Sequence, residues 1–156
     1  MPAYCLFCET QKCATIAHLI EYCLNIRCIS PVIIQHKWVK GSVLEERHSM
    51  LPGYIFIYPR EPLEKPLRIP GIIRILGNGE LQNEDLAFAS LLQEKDGVIG
   101  SICLDVDDGY YTINDSFWKK VEGKVMKIDK ERKRCCIKFF FDSIYHTIWL
   151  GYYVNT

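Results

Sequence analysis

From residue 101 onward the chain consists of short apolar runs separated by turn residues, none of them long enough for a helix of ordinary length. The runs predict strands over residues 101–106, 110–113, 123–129, 134–141 and 145–150. Five short strands in about fifty residues bury their apolar faces best by curling into a small closed or nearly closed barrel.

Charge singles out the same region. The formal net charge of the 156 residues is zero, yet nine of the 19 Lys and Arg fall between Lys119 and Lys138. Only Glu122, Asp129 and Glu131 oppose them there, which leaves that stretch at +6 and the rest of the chain acidic. Such asymmetry points to an anionic partner. The composition, 49% hydrophobic and 24% charged, is that of a folded globular protein rather than a disordered chain or a coiled coil. No apolar run reaches the roughly 20 residues that span a bilayer. The start, Met1-Pro2-Ala3-Tyr4, lacks a secretion signal, so a cytoplasmic protein that does not meet a membrane is expected.

The N-terminal part alternates strands with helices. A strand is expected over residues 3–8, followed by a helix capped by Thr10 in which Ile16, Leu19, Ile20, Cys23 and Leu24 recur at helical spacing. Residues 27–40 are β-rich, 41–49 read as a polar hairpin tip, and 51–58 form the clearest strand, with Tyr54, Phe56 and Tyr58 on one face. A short helix over 63–68, a strand over 72–76 and a helix to Gln93 capped by Asn83 complete the order β-α-β-β-α-β-α. The fold class expected is α+β. A first domain over residues 1–93, an antiparallel sheet with flanking helices, is joined by a linker at 94–101 to the barrel at 102–156.

The eight cysteines invite a metal or redox reading. Cys5-x₂-Cys8, however, lies in a predicted strand, where positions three apart face opposite ways, and the Cys135-Cys136 pair diverges in the same manner. His18, His36, His48 and His146 do not supply the second half of a zinc site. Reduced thiols and no metal or cofactor are expected, with Cys13 the thiol of most thiolate character. No Gly-rich phosphate loop, HExxH or nucleophile–base pair is present, and His36 and His48 read as surface groups, so no enzyme is expected.

One stretch is specific. Val121-Glu122-Gly123-Lys124-Val125-Met126-Lys127-Ile128-Asp129 resembles the KOW motif, with Gly123 letting the chain turn sharply into a strand and Asp129 opening the turn Lys130-Glu131-Arg132-Lys133. Ahead of it, Leu51-Pro52-Gly53-Tyr54-Ile55-Phe56-Ile57 and Ile69-Pro70-Gly71-Ile72-Ile73-Arg74-Ile75-Leu76-Gly77 come in the order seen in the NusG family of transcription elongation factors. Nearly the whole chain thus resembles that family's NGN and KOW domains. Tyr4-Cys5-Leu6-Phe7-Cys8-Glu9-Thr10, and the run from Val125 to Arg134, are most similar to its LoaP subgroup of processive bacterial antiterminators. One departure stands out. Where such KOW domains carry Gly-Pro-Phe or Gly-Pro-Leu before the motif, this chain has Ser116-Phe117-Trp118-Lys119-Lys120, which puts the usual contact with Rho or a ribosomal protein in question.

The resemblance implies a monomer whose N-terminal domain docks on the clamp helices of RNA polymerase through Leu51, Pro52, Tyr54 and Phe56, joined by Tyr4 and Phe7. For the barrel, a basic ridge of Lys119, Lys120, Lys124, Lys127, Lys130, Arg132, Lys133 and Arg134 is expected to bind RNA phosphates. Phe117, Trp118, Tyr110 and Tyr111 are expected to stack on unpaired bases. The LoaP-like reading makes the ligand nascent RNA, specifically a leader hairpin. A general NusG factor coupled to Rho or the ribosome, and a ribosome-associated RNA-binding KOW protein, are the alternatives.

Overall fold

The structure, a computed structural model, describes residues 1–155. In chain order the elements are β1 (Tyr4–Cys8), α1 (Cys13–Cys23), β2 (Arg27–Ile29), β3 (Val32–Val39), β4 (Ser42–Ser49), β5 (Tyr54–Tyr58), β6 (Ile72–Ile75), α2 (Asn83–Glu94) and β7 (Val98–Ile99). They continue with β8 (Ile102–Asp107), β9 (Tyr110–Ile113), α3 (Ser116–Lys120), β10 (Lys124–Asp129), β11 (Arg134–Phe141) and β12 (Ile144–Val154). The protein is therefore mixed α+β, rich in sheet and poor in helix. Two compact units divide the chain: Met1–Pro31 with Leu51–Gly97, and Val32–Met50 with the residues from Val98 on.

The first unit is built on an antiparallel sheet in the order β2-β5-β1-β6. Both faces of its central strands are apolar, so both need a cover. On one face Tyr4, Leu6, Cys8, Ile55 and Ile57 pack with Ile16 and Ile20 of α1. On the other, Phe56 meets Phe88 of α2 with ring centroids 5.8 Å apart, and the Tyr58 hydroxyl donates to the Ala89 carbonyl at 2.7 Å. The alternation expected for residues 51–58 holds from Tyr54 onward, while Leu51–Gly53 form a turn that returns the Gly53 carbonyl to the Cys8 amide at 2.7 Å.

Several local expectations are corrected. Residues 63–68 hold no helix. Pro62 and Pro66 break that stretch into a window too short for one, and it crosses the core as a strap, its Leu63 amide donating to the Tyr4 hydroxyl at 2.9 Å. Neither Thr10 nor Asn83 caps a helix with its side chain: Thr10 begins a 3₁₀ turn before α1, and Asn83 stands at φ 55°. Of the polar stretch 41–49, all but Gly41 is strand β4. Lys40 and Gly41, with φ of 50° and 80°, make a two-residue turn whose twist suits a hairpin, and the polar residues that follow pair with β3 from Val39↔Ser42 to Val32↔Ser49.

In the second unit a five-stranded sheet in the order β10-β11-β12-β8-β9 curls until its edge strands β9 and β10 approach each other, giving a nearly closed barrel. Ile102, Leu104, Cys135, Ile137, Phe139, Phe141 and Leu150 fill it. The β3–β4 hairpin belongs to this unit. It forms a separate three-stranded sheet in the order β4-β3-β7, β3 pairs in parallel with β7 through Val32↔Val98 and Ile33↔Ile99, and Gln35 Nε2 donates to the Trp149 carbonyl at 2.5 Å. The stretch expected as a linker, 94–101, thus carries β7.

Candidate functional site

Two surfaces collect the residues singled out by the sequence, one on each unit. On the first, strand register sets the outcome. Phe7 lies beside Tyr54 on one flank and Arg74 on the other, so Arg74, Phe7 and Tyr54 form a row across β6, β1 and β5. The Phe7 and Tyr54 rings are 5.0 Å apart and the Arg74 guanidinium sits 5.5 Å from the Phe7 centroid, within cation–π range. Gly53 makes this row possible. At φ 91° it turns the chain, and a Cβ there would come within 2.9 Å of the Phe7 ring.

The six expected docking residues do not form one surface. Tyr4 points to the opposite, α1-covered face. Phe56 is fully enclosed, and Leu51 and Tyr54 are also buried. Phe7 is half-buried, and Pro52 and Arg74 are exposed, so of the residues gathered here these three reach the surface.

On the second unit the basic residues separate by element. Lys119 and Lys120 end α3, Lys124 and Lys127 lie along β10, Lys130, Arg132 and Lys133 occupy the β10–β11 turn, and Arg134 opens β11. All are exposed except Arg134, which is half-buried. The register places Lys124 beside Lys138 and Lys127 beside Cys136, while Val125 and Ile128 face Ile137 and Cys135. A bulge between Val125 and Lys127 allows this, putting both Lys124 and Lys127 on the outer face. Continuing across β12, Lys138 pairs with Thr147, Cys136 with Trp149 and Phe140 with Tyr145.

The outer face of β10, β11 and β12 is thus an aromatic and basic plane: Lys124, Lys127 and Lys138 together with Phe140, Tyr145 and Trp149. Tyr145 and Trp149 are 55% and 41% exposed, and Lys138 Nζ lies 4.3 Å from the Tyr145 centroid. These aromatics were not picked out from the sequence. The signal was available in the alternation of residues 137–141, which sets Phe140 with Lys138 and opposite Phe139 and Phe141, but it needed the β11–β12 register to bring in Trp149 and Tyr145.

The expected stacking pair Phe117 and Trp118 is corrected. Both are 1% exposed, because the run 116–120 folds as α3 and drives the two rings into the barrel, with Trp118 5.5 Å from Phe139. Asp115 caps that short helix by accepting from the Phe117 amide at 3.0 Å. Tyr110 is exposed and Tyr111 half-buried, packed 6.2 Å from Tyr152.

Burial raises the thiol pKa of Cys8 to about 11 and of Cys28 and Cys135 to about 12, and it raises that of Cys136 as well. Cys13, expected to have thiolate character, is also pushed up by burial, its sulfur donating to the Glu9 carbonyl. Cys5 and Cys8 point to opposite faces of the sheet. Among the described residues no helix is long and apolar enough to cross a membrane.

Compared with known proteins, the chain matches no family model and no curated protein.

Proposed function

We propose that this chain is a NusG-type transcription factor of the cytoplasm, with an NGN-like first domain that docks on RNA polymerase and a KOW-type barrel that binds RNA. In the LoaP-like form favoured here it promotes processive antitermination in bacteria, acting as a monomer on a leader hairpin in the nascent transcript. The reading rests on the motif order in the sequence. The observation that carries it is the outer face of β10–β12, where three lysines share one face with two exposed aromatics. Lysines there suit phosphates and the rings suit unpaired bases. Nothing about the face requires catalysis.

The test is a titration of full-length protein with a leader-hairpin RNA at several salt concentrations. Each phosphate contact adds about 0.7–0.9 to the log–log salt slope, so Lys127→Gln with Lys138→Gln is expected to flatten it by roughly 1.5. An unchanged slope rejects the face. On the first unit, Phe7→Ala is expected to reduce capture of core polymerase while leaving RNA affinity intact. RNA binding with no capture of polymerase by the wild type would instead mean an RNA-binding module outside transcription.

A further inference from the structure

Between the β3–β4 hairpin and the β10–β11 turn, wholly within the second unit, lies a cleft of about 490 Å³. A smaller recess of about 180 Å³ shares His36, Trp38, Glu131, Arg132 and Arg134 with it and reaches Gly151 and Tyr152. The larger volume falls in the range of small-molecule sites.

Its chemistry has two halves. His36 and Trp38, two apart on β3, project on the same side, and the Trp38 indole is 73% exposed, a large apolar ring held in water beside cations. Facing it are Arg132 and Arg134. The Arg132 amide donates to Asp129 Oδ1 at 3.1 Å, and the Lys133 carbonyl accepts from Tyr152 at 3.2 Å, so the turn is fastened at both ends. Arg134 donates through Nη2 to the His36 carbonyl at 3.4 Å, whereas its Nε is buried with no hydrogen-bond partner among the described residues. A buried guanidinium donor without an acceptor is costly, and an anion that accepts from it removes that cost.

Acidic groups are present but largely committed. Glu46 is 3.7 Å from Lys37 Nζ and 3.0 Å from His48 Nε2, and these neighbours, with Arg134, hold its carboxyl below the usual range. Glu131 is exposed on the turn. Arg134 Nε still lacks an acceptor and Arg132 is exposed, so these two side chains offer donors to an outside anion even with Glu46 and Glu131 nearby.

We infer that this cleft binds one unpaired nucleotide, its base stacked on Trp38 and its phosphate held by Arg132 and Arg134. The inference deepens the RNA reading and rests on it for the source of the nucleotide, a single-stranded segment rather than a free metabolite. It also assigns the hairpin a role in the same RNA site as the barrel.

The experiment uses full-length protein, a nine-nucleotide single-stranded RNA and uridine 5′-monophosphate, following the indole N–H signals of Trp38, Trp118 and Trp149 by NMR beside affinities from anisotropy. Trp38→Phe assigns the signal. The oligomer is expected to shift the Trp38 signal. Trp38→Ala, an exposed position whose replacement spares the core, is expected to weaken binding by roughly 5- to 100-fold. Trp38→Phe retains most of the affinity. The mononucleotide should move the same signal only at far higher concentration. Tight binding of the mononucleotide, equal to that of the oligomer, would overturn RNA as the source. Oligomer binding that Lys127→Gln and Lys138→Gln weaken but Trp38→Ala does not would overturn the cleft and leave the barrel face standing. A Trp38-dependent signal with no effect of the lysine changes would overturn the face and support the cleft.

Discussion

Burial governs the thiols one residue at a time. A group whose proton is held more tightly in the folded state stabilises that state fully at pH values below its unfolded pKa, near 9.0 for a thiol, and loses that contribution as the pH rises through its folded value. For Cys8, Cys28 and Cys135 the window runs from about 9 to 11 or 12. The urea midpoint is therefore expected to hold steady up to pH 9 and to fall above it. Cys135→Val should blunt part of that fall, since Cys135 is enclosed in the barrel. Equal slopes for the two proteins between pH 9 and 11 would assign the fall to other groups. At neutral pH an alkylating reagent is expected to modify the exposed Cys23 well before Cys5 or Cys135, as mass spectrometry of a short exposure would read.

Helix α3 and strand β10 act as one element because of Gly123. The KOW-like motif places a glycine there, and the expected reason was a sharp turn. The left-handed residue is Glu122, at φ 56°, and what Gly123 supplies is room: a Cβ would sit 2.7 Å from the Trp118 carbonyl and 3.1 Å from Ile113. That carbonyl accepts from the Gly123 amide at 2.8 Å, so the backbone cannot retreat without losing the bond. Trp118 in turn plugs the barrel. Trp118→Ala is expected to cost about 3–5 kcal/mol in chemical denaturation, and Lys119→Gln or Lys120→Gln under about 0.5 kcal/mol. A loss below 1 kcal/mol for Trp118→Ala would mean that α3 is not part of the barrel's core.

At the scale of the whole molecule, the β3–β4 hairpin interrupts the sequence of the first unit yet serves the second. It contributes the buried Ile33, the bond from Gln35 to Trp149 and the parallel pairing with β7. Replacing residues 33–48 by a short glycine–serine turn is expected to lower the stability of the second unit by about 2–4 kcal/mol, from lost apolar burial and one partly buried hydrogen bond. Fluorescence of Trp118 and Trp149 reports on that unit, because both lie in it. An unshifted midpoint would make the hairpin a passenger. The same dependence argues for testing RNA binding with the full chain, since a fragment starting near residue 98 lacks β3 and β4.

Features that repeat locally are legible in residue order: the period-two strands of the barrel, the helical spacing of Ile16 and Ile20, the concentration of charge between Lys119 and Lys138, and the opposed faces of Cys5 and Cys8. Each depends on side chains a few positions apart, so it is written in their order. Which aromatics remain in water depends on packing between distant segments. Phe117 and Trp118 resemble an exposed stacking pair until the barrel interior claims them, and Trp149 and Tyr145 become a surface only through their register with β11. Trp38 and Arg134 lie 96 positions apart by number and meet at one cleft because the hairpin packs beside the barrel. Contacts of that span follow from which faces need covering across the whole chain, and no local window of sequence contains that information.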